Sequence, residues 1–138
     1  MQIIPATPEK VSSFISAMGD SAKHFRYFSK RPVSVISQHL VTLIGELPAG
    51  NPVAYGHLDP EGGRVWLGIC VAAKYRSLGF GKQMITALLQ AAGNCGVKVV
   101  HLAVDCDNIP AIEFYEKIGF EPEDTQTTHH TYRYEIQP

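Results

Sequence analysis

Val71-Ala72-Ala73-Lys74-Tyr75-Arg76-Ser77-Leu78-Gly79-Phe80-Gly81-Lys82-Gln83-Met84 carries the change of pattern from which the fold is read: an apolar run stops, two glycines arrive, and a helical period begins. Met84, Ile85, Leu88 and Ala92 recur at helical spacing, so a helix is predicted to begin at or just before Gly79. Gly79 and Gly81 lack a Cβ, which lets the backbone take unusual dihedrals and turn several amide N–H groups toward one point. The positive end of the helix dipole adds to those groups, and Arg76 and Lys82 flank them with charge. Such a loop suits an anion, and a pyrophosphate better than a lone carboxylate.

Two other glycine loops do not fit. A dinucleotide-binding G-x-G-x-x-G requires a third small residue where this chain has Met84, and an acidic residue about 20 positions further on. A Walker A loop requires glycine where Arg76 stands and Ser or Thr where Gln83 stands. What remains is Arg-x-x-Gly-x-Gly behind a strand that ends at Val71.

With 138 residues, 45% of them apolar and 18% charged, the chain has globular composition and the length of one domain, expected to run over residues 1–138. No apolar run is long enough to span a membrane, and Met1-Gln2-Ile3-Ile4-Pro5 lacks the pattern of a secretory signal, so a cytoplasmic protein is expected. Cys70, Cys95 and Cys106 are odd in number and lack C-x-x-C spacing, which argues against a disulfide framework or a zinc site. They are expected reduced and mostly buried. A net charge of −1 provides no basic field for nucleic acid, and a locally recognised substrate is expected.

In chain order, Gln2–Pro5 is β-like, and Thr7-Pro8-Glu9 is a helix start with an N-cap, a first-turn proline and an acidic residue. Val11, Phe14, Ile15 and Met18 share one face, and Gly19 ends the helix. Asp20 to Pro32 is a helix or a helix plus loop. Phe25 and Phe28 either pack beneath solvated Lys23, Arg26, Lys30 and Arg31, or the stretch is a lid recognising an anionic acceptor group. After a packed turn at Val33–Ile36, the runs 39–47, 52–59 and 64–71 are three antiparallel strands joined by the turns at Pro48–Asn51 and Asp59–Gly63. The helix after Gly79 ends near Gly93–Gly96, and Val97–Val104 is a strand parallel to 64–71. Asn108-Ile109-Pro110 starts a further helix with Ala111, Phe114, Tyr115 and Ile118 on one face, and Gly119 stops it. A short strand after Phe120 pairs with Tyr132–Ile136, and His129-His130 is expected in a solvated turn.

The run Asn108-Ile109-Pro110-Ala111-Ile112-Glu113-Phe114-Tyr115-Glu116-Lys117-Ile118-Gly119-Phe120 resembles the C-terminal motif N-x-x-A-x-x-x-Y-x-K-x-G-F of the GNAT N-acetyltransferases, and Arg76 to Gly81 resembles their acetyl-coenzyme A loop. The two motifs stand in the family's order and the element order matches along the whole chain. Ser77 departs from the glycine that many members carry there. The resemblance implies an α/β fold with a mixed sheet of about six to seven strands, N-terminal antiparallel strands, a central splayed parallel pair and about four helices. It implies a V-shaped cleft in which backbone groups of Ile69, Cys70 and Val71 pair with the pantetheine arm of acetyl-CoA. The loop residues Arg76, Ser77, Leu78, Gly79, Phe80, Gly81 and Lys82 then hold the pyrophosphate, and Asn108 bonds the pantetheine region, with no metal required.

By the same resemblance Tyr115 is the acid that protonates the departing coenzyme A thiolate, while a backbone N–H near Ile69 or Cys70 receives the oxyanion. The base is left open among Glu46, His57, His101 and water, because the strand before the loop carries no acidic residue. Cys70 as an acetylated nucleophile would need an adjacent base that the sequence does not show. The expectation is direct acetyl transfer, in a ternary complex, to a primary amine on a small molecule or peptide, with no nucleic acid or membrane partner and with a homodimer left open. The competing class is a non-catalytic acyl-CoA-binding or interaction module on the same fold; a general nucleotide-binding domain is the third. The acceptor is not legible, and His24 to Arg31 and the strand ends near His57 are where it is sought.

Overall fold

The hydrophobic periods resolve into seven strands and three α-helices over residues 1–137, the residues described by the structure, which is a computed structural model. In order these are β1 (Gln2–Pro5), α1 (Pro8–Ala17), β2 (Val41–Leu47), β3 (Asn51–Glu61), β4 (Arg64–Val71), α2 (Phe80–Asn94), β5 (Val99–Asp105), α3 (Ile109–Ile118), β6 (Glu121–Thr125) and β7 (His129–Glu135). They form one sheet in the order β1-β2-β3-β4-β5-β7-β6. The architecture is the mixed α/β sheet expected from the sequence.

The local chemistry explains the element ends. Thr7 Oγ1 accepts the Lys10 N–H at 3.3 Å and starts α1, with Pro8 in its first turn. Gly62 and Gly63, at φ of 62° and 78°, make a two-residue turn of the type that favours right-twisted hairpins, and it sets Glu61 opposite Arg64. That register carries His57 opposite Gly68 and Tyr55 opposite Cys70.

Every neighbouring strand pair is antiparallel except β4 and β5, which are parallel and meet at a single pair, Trp66 with His101. Beyond that pair the two strands part, so the C-terminal ends of β4 and β5 bound a gap. One core packs Met84, Ile85, Leu88 and Ala92 of α2, with Ala111, Phe114 and Tyr115 of α3, against Ala54, Leu67, Val100, Leu102 and Val104. The second packs Val11 and Phe14 of α1 and Met18 at its C-terminal cap, with Phe25 and Phe28, against Ile44, Tyr55 and Cys70. Helix α2 lies close on β3 because Gly56 is bare; a Cβ there would come within 2.8 Å of Leu88 and Met84.

Several expectations change in detail. Asp20 to Pro32 folds into short 3-10 turns, at Gly19–Lys23 and Tyr27–Ser29, followed by another at Val33–Gln38. Its aromatic side chains are held by tertiary packing, which a helical period does not require. His129-His130 is no solvated turn: both residues open β7, half-buried, opposite Asp105 and Val104 of β5. Ladder pairing there outweighs their polar character. Of the three free cysteines only Cys70 is buried, whereas Cys95 caps the end of α2 in solvent and Cys106 is half-buried.

Candidate active site

The loop after β4 turns at Ala73–Tyr75 and reaches α2 through Ser77 and Gly79, whose φ angles are 65° and 85°. Gly79 caps α2 without a side chain, so the N–H groups of Phe80, Gly81 and Lys82 in the first turn face out of the helix unspent. A Cβ at Gly81 would meet Phe114 and Val71 only at ordinary distances of 3.6 and 3.7 Å, so protein packing does not demand glycine there. These residues fit a pyrophosphate cradle, with Leu78 and Lys82 exposed beside it.

Ser77 stands in the left-handed region, where an L-residue costs about 1–2 kcal/mol. Replacing it with glycine removes that strain and adds about 0.5–1 kcal/mol of unfolded-chain entropy cost. Ser77→Gly is therefore expected to gain about 0.5 kcal/mol of stability. Urea denaturation checks this, and a loss of stability would contradict it.

Tyr115 of α3 packs into the α2 side of the core, within electrostatic range of the Cys70 thiol near the end of β4. Burial, aided by Cys70, holds the Tyr115 hydroxyl protonated well above the usual tyrosine range. The hydroxyl makes no side-chain hydrogen bond, yet among the described residues no buried side-chain polar atom is without a partner, so this oxygen keeps contact with solvent. It is a donor without an acceptor in the protein. Burial pushes the Cys70 thiol up to about 12, against the opposing effects of Arg76 and Ser21. That disqualifies it as a resting thiolate. Asn108 caps α3 with its backbone only, leaving its half-buried side-chain amide free.

A brace that the sequence does not announce spans the two strand ends. On the β4 side, Ala73 donates its N–H to Met18 O at 3.0 Å, Ser21 Oγ donates to Val71 O at 2.6 Å, and Arg76 Nη2 donates to Ser21 Oγ at 2.8 Å. On the β5 side, Arg26 forks onto both oxygens of Asp105 at 2.8 and 2.9 Å, and His24 Nδ1 meets the same carboxylate at 2.8 Å. Arg26 is thus no freely solvated cation, and Arg76 turns partly away from the loop. An open cavity of about 620 Å³ lies within this brace, lined by Gly19, Asp20, Lys23, His24 and Arg76. His24, Asp105 and Asp107 bring potential metal ligands within 4.8 Å of one another, but both Asp105 oxygens already serve Arg26.

The Arg26 bonds, opposed by burial and aided by His24, lower the Asp105 carboxyl from 3.8 to about 2. A depressed carboxyl contributes stability that is complete above about pH 4 and is lost as pH falls through about 2. Allowing for the half-exposed guanidinium, the contribution is about 1–2 kcal/mol. Asp105→Asn is expected to be less stable than the unmutated protein by that amount at pH 7 and equal to it below pH 2, as read by denaturant titration. An equal gap at both pH values would rule out the ion pair as its source.

The three side chains considered as bases separate clearly. Glu46 sits on β2, two strands from the gap, tied to Lys10 at 3.0 Å. His101 lies at the closed end of the gap, beside Trp66, with Nδ1 held by Glu123 at 3.0 Å. His57 lies on β3 with Nδ1 2.6 Å from Tyr55 Oη, and its ring covers Gly68 of β4 so closely that a Cβ there would collide with Nε2.

A sequence profile described as the acetyltransferase (GNAT) family matches residues 13–120. Over 65 residues the chain is 35% identical to the spermine/spermidine N(1)-acetyltransferase of Bacillus subtilis, covering 46% of this chain and 43% of that one. Over 61 residues it is 39% identical to the mycothiol acetyltransferase of Corynebacterium aurimucosum, covering 44% of this chain and 20% of that one. The match thus spans less than half the length of either relative. Among solved structures, an N-acetyltransferase of Thermoplasma acidophilum in complex with coenzyme A superposes with a TM-score of 0.82 over 97% of this chain and 98% of that one, at 15% identity.

Proposed function

The chain belongs to the GNAT acetyltransferase family, and from that membership we propose that residues 1–137 act as a single N-acetyltransferase domain, moving an acetyl group from acetyl-CoA to a primary amine on a small molecule. The observation that carries the reading is the helix start that follows the parted edge of β4, with its unspent N–H groups, together with a Tyr115 hydroxyl that no protein group occupies. The loop from Arg76 to Lys82 seats the pyrophosphate, Asn108 and the parted edge of β4 at Ile69 to Val71 receive the pantetheine amides, and a β4 N–H near Ile69 or Cys70 takes the oxyanion.

Transfer is direct. The amine nitrogen attacks the thioester carbonyl, the C–S bond breaks with its electron pair on sulfur, and Tyr115 donates its proton to that sulfur. The weakened acidity of Tyr115 and Cys70, both caused chiefly by burial, supports both halves of this: a phenol protonated at neutral pH, and a thiol that stays a thiol. The free cysteines fit a reducing compartment such as the cytoplasm.

The test is release of free coenzyme A from acetyl-CoA over a panel of polyamines, amino sugars, aminoglycosides, amino acids and peptide N-termini, with isothermal binding of coenzyme A in parallel. Turnover of one acceptor class is the expected result. Tight coenzyme A binding with no turnover of any amine would overturn it.

A further inference from the structure

The step left without a residue in that reading is removal of the amine's proton. We propose that Nε2 of His57 takes it, through water, from the α1 face of the sheet. This rests on the transferase reading and adds its base.

Three observations converge on His57. Its ring lies across β4 at Gly68, on the same face as Cys70, and a bare glycine in mid-strand there is explained by the imidazole it accommodates. Continuing the register of the Trp66–His101 pair sets Ala103 of β5 level with Gly68; Ala103 is exposed and small, so the strand gap is open on this face. Nε2 itself has no hydrogen-bond partner although the residue is only 2% exposed, and since no buried polar atom among the described residues is unpartnered, solvent reaches this nitrogen. Tyr115, packed with α2 and α3 on one face of the sheet, and His57, on the face of Cys70, thus each keep one polar atom without a partner in the protein.

The ring is held for the task. Nδ1 meets Tyr55 Oη, and with Nδ1–H donating to that oxygen the lone pair lies on Nε2. Tyr27 and His39 pack against the ring with centroids 4.4 and 4.5 Å away, and Tyr27 is itself fixed by its hydrogen bond to Asp59 at 2.7 Å. The titratable and charged groups around it are therefore Tyr55 and Asp59 of β3, Tyr27 and Arg31 of the covering turns, His39 before β2 and Cys70 of β4. Burial, with His39 and Arg31, keeps the imidazole neutral well below its ordinary range, so the accepting form prevails at neutral pH. The protons balance: as the C–N bond forms, the nitrogen's surplus proton passes through water to Nε2, and the imidazolium returns it through solvent to the Tyr115 phenolate.

His57→Gln is expected to lower kcat by about 100-fold while the acetyl-CoA Kd stays within twofold. In His57→Ala, added imidazole is expected to restore at least a tenth of the lost rate. Independent of turnover, ¹⁵N shifts of His57 in the unmutated protein should report the Nδ1–H tautomer. A kcat within twofold in His57→Gln, a loss that imidazole does not repair in His57→Ala, or an Nε2–H tautomer each overturns the proposal and leaves the transferase reading standing. Absence of turnover by the unmutated protein with acetyl-CoA bound would overturn both.

Discussion

Tyr115→Phe is expected to lower kcat by about 100- to 10,000-fold, the range for loss of a general acid, with the acetyl-CoA Kd unchanged within twofold. The separation follows from the hydroxyl's isolation. It makes no hydrogen bond within the protein, so its removal leaves no orphaned partner, and the ring contacts with Phe114 and Phe120 at centroid distances of 5.4 and 5.7 Å are retained. The melting temperature should therefore hold. Steady-state rates of thiol release together with calorimetric binding decide the matter, and a kcat within twofold of the unmutated protein would remove Tyr115 from the mechanism.

Gly81→Asp tests the other half of the site, and stability and binding should move apart. A side chain at position 81 meets only Phe114 and Val71 at ordinary distances, and an acidic residue in the first turn of α2 gains about 0.3–1 kcal/mol from the helix dipole. The same carboxylate would stand where a pyrophosphate is proposed to sit. Two like charges about 4 Å apart in surroundings of intermediate dielectric repel by about 4 kcal/mol, so coenzyme A affinity should fall by at least about 100-fold. A variant that melts at or slightly above the unmutated temperature but fails to bind is the expected outcome. Retained affinity would mean that the anion lies elsewhere, with the cavity at Lys23, His24 and Arg76 the next place to look.

What was legible in the sequence is what short spacing determines. Arg76 to Gly81 and Asn108 to Gly119 each encode a helix start within a few residues, and both helices begin where the pattern puts them. The position of His57 was half legible: a two-residue turn at Gly62-Gly63 dictates that His57 pairs with Gly68, but the register alone does not say that the imidazole lies over the glycine. The brace was not legible. Arg26 and Asp105 are separated by 79 positions, and nothing local to either marks the other. Phe25 and Phe28 likewise read as helical spacing, whereas their packing around Tyr55 holds the stretch in short 3-10 turns and the bends between them. A turn stabilised by what it covers leaves little trace in periodicity.

Mechanically, the sheet is two laddered plates, β1–β4 and β5–β7–β6, whose backbones pair only at Trp66–His101, with the α2 core laid across both on one face and Arg26 and His24 tied to Asp105 at the far end. Within each plate the strands are laddered over most of their length, so slack in the sheet collects along the line between the plates. Anything laid along that line, by bonding to the free edge of β4, would act as a spline that stiffens both plates at once.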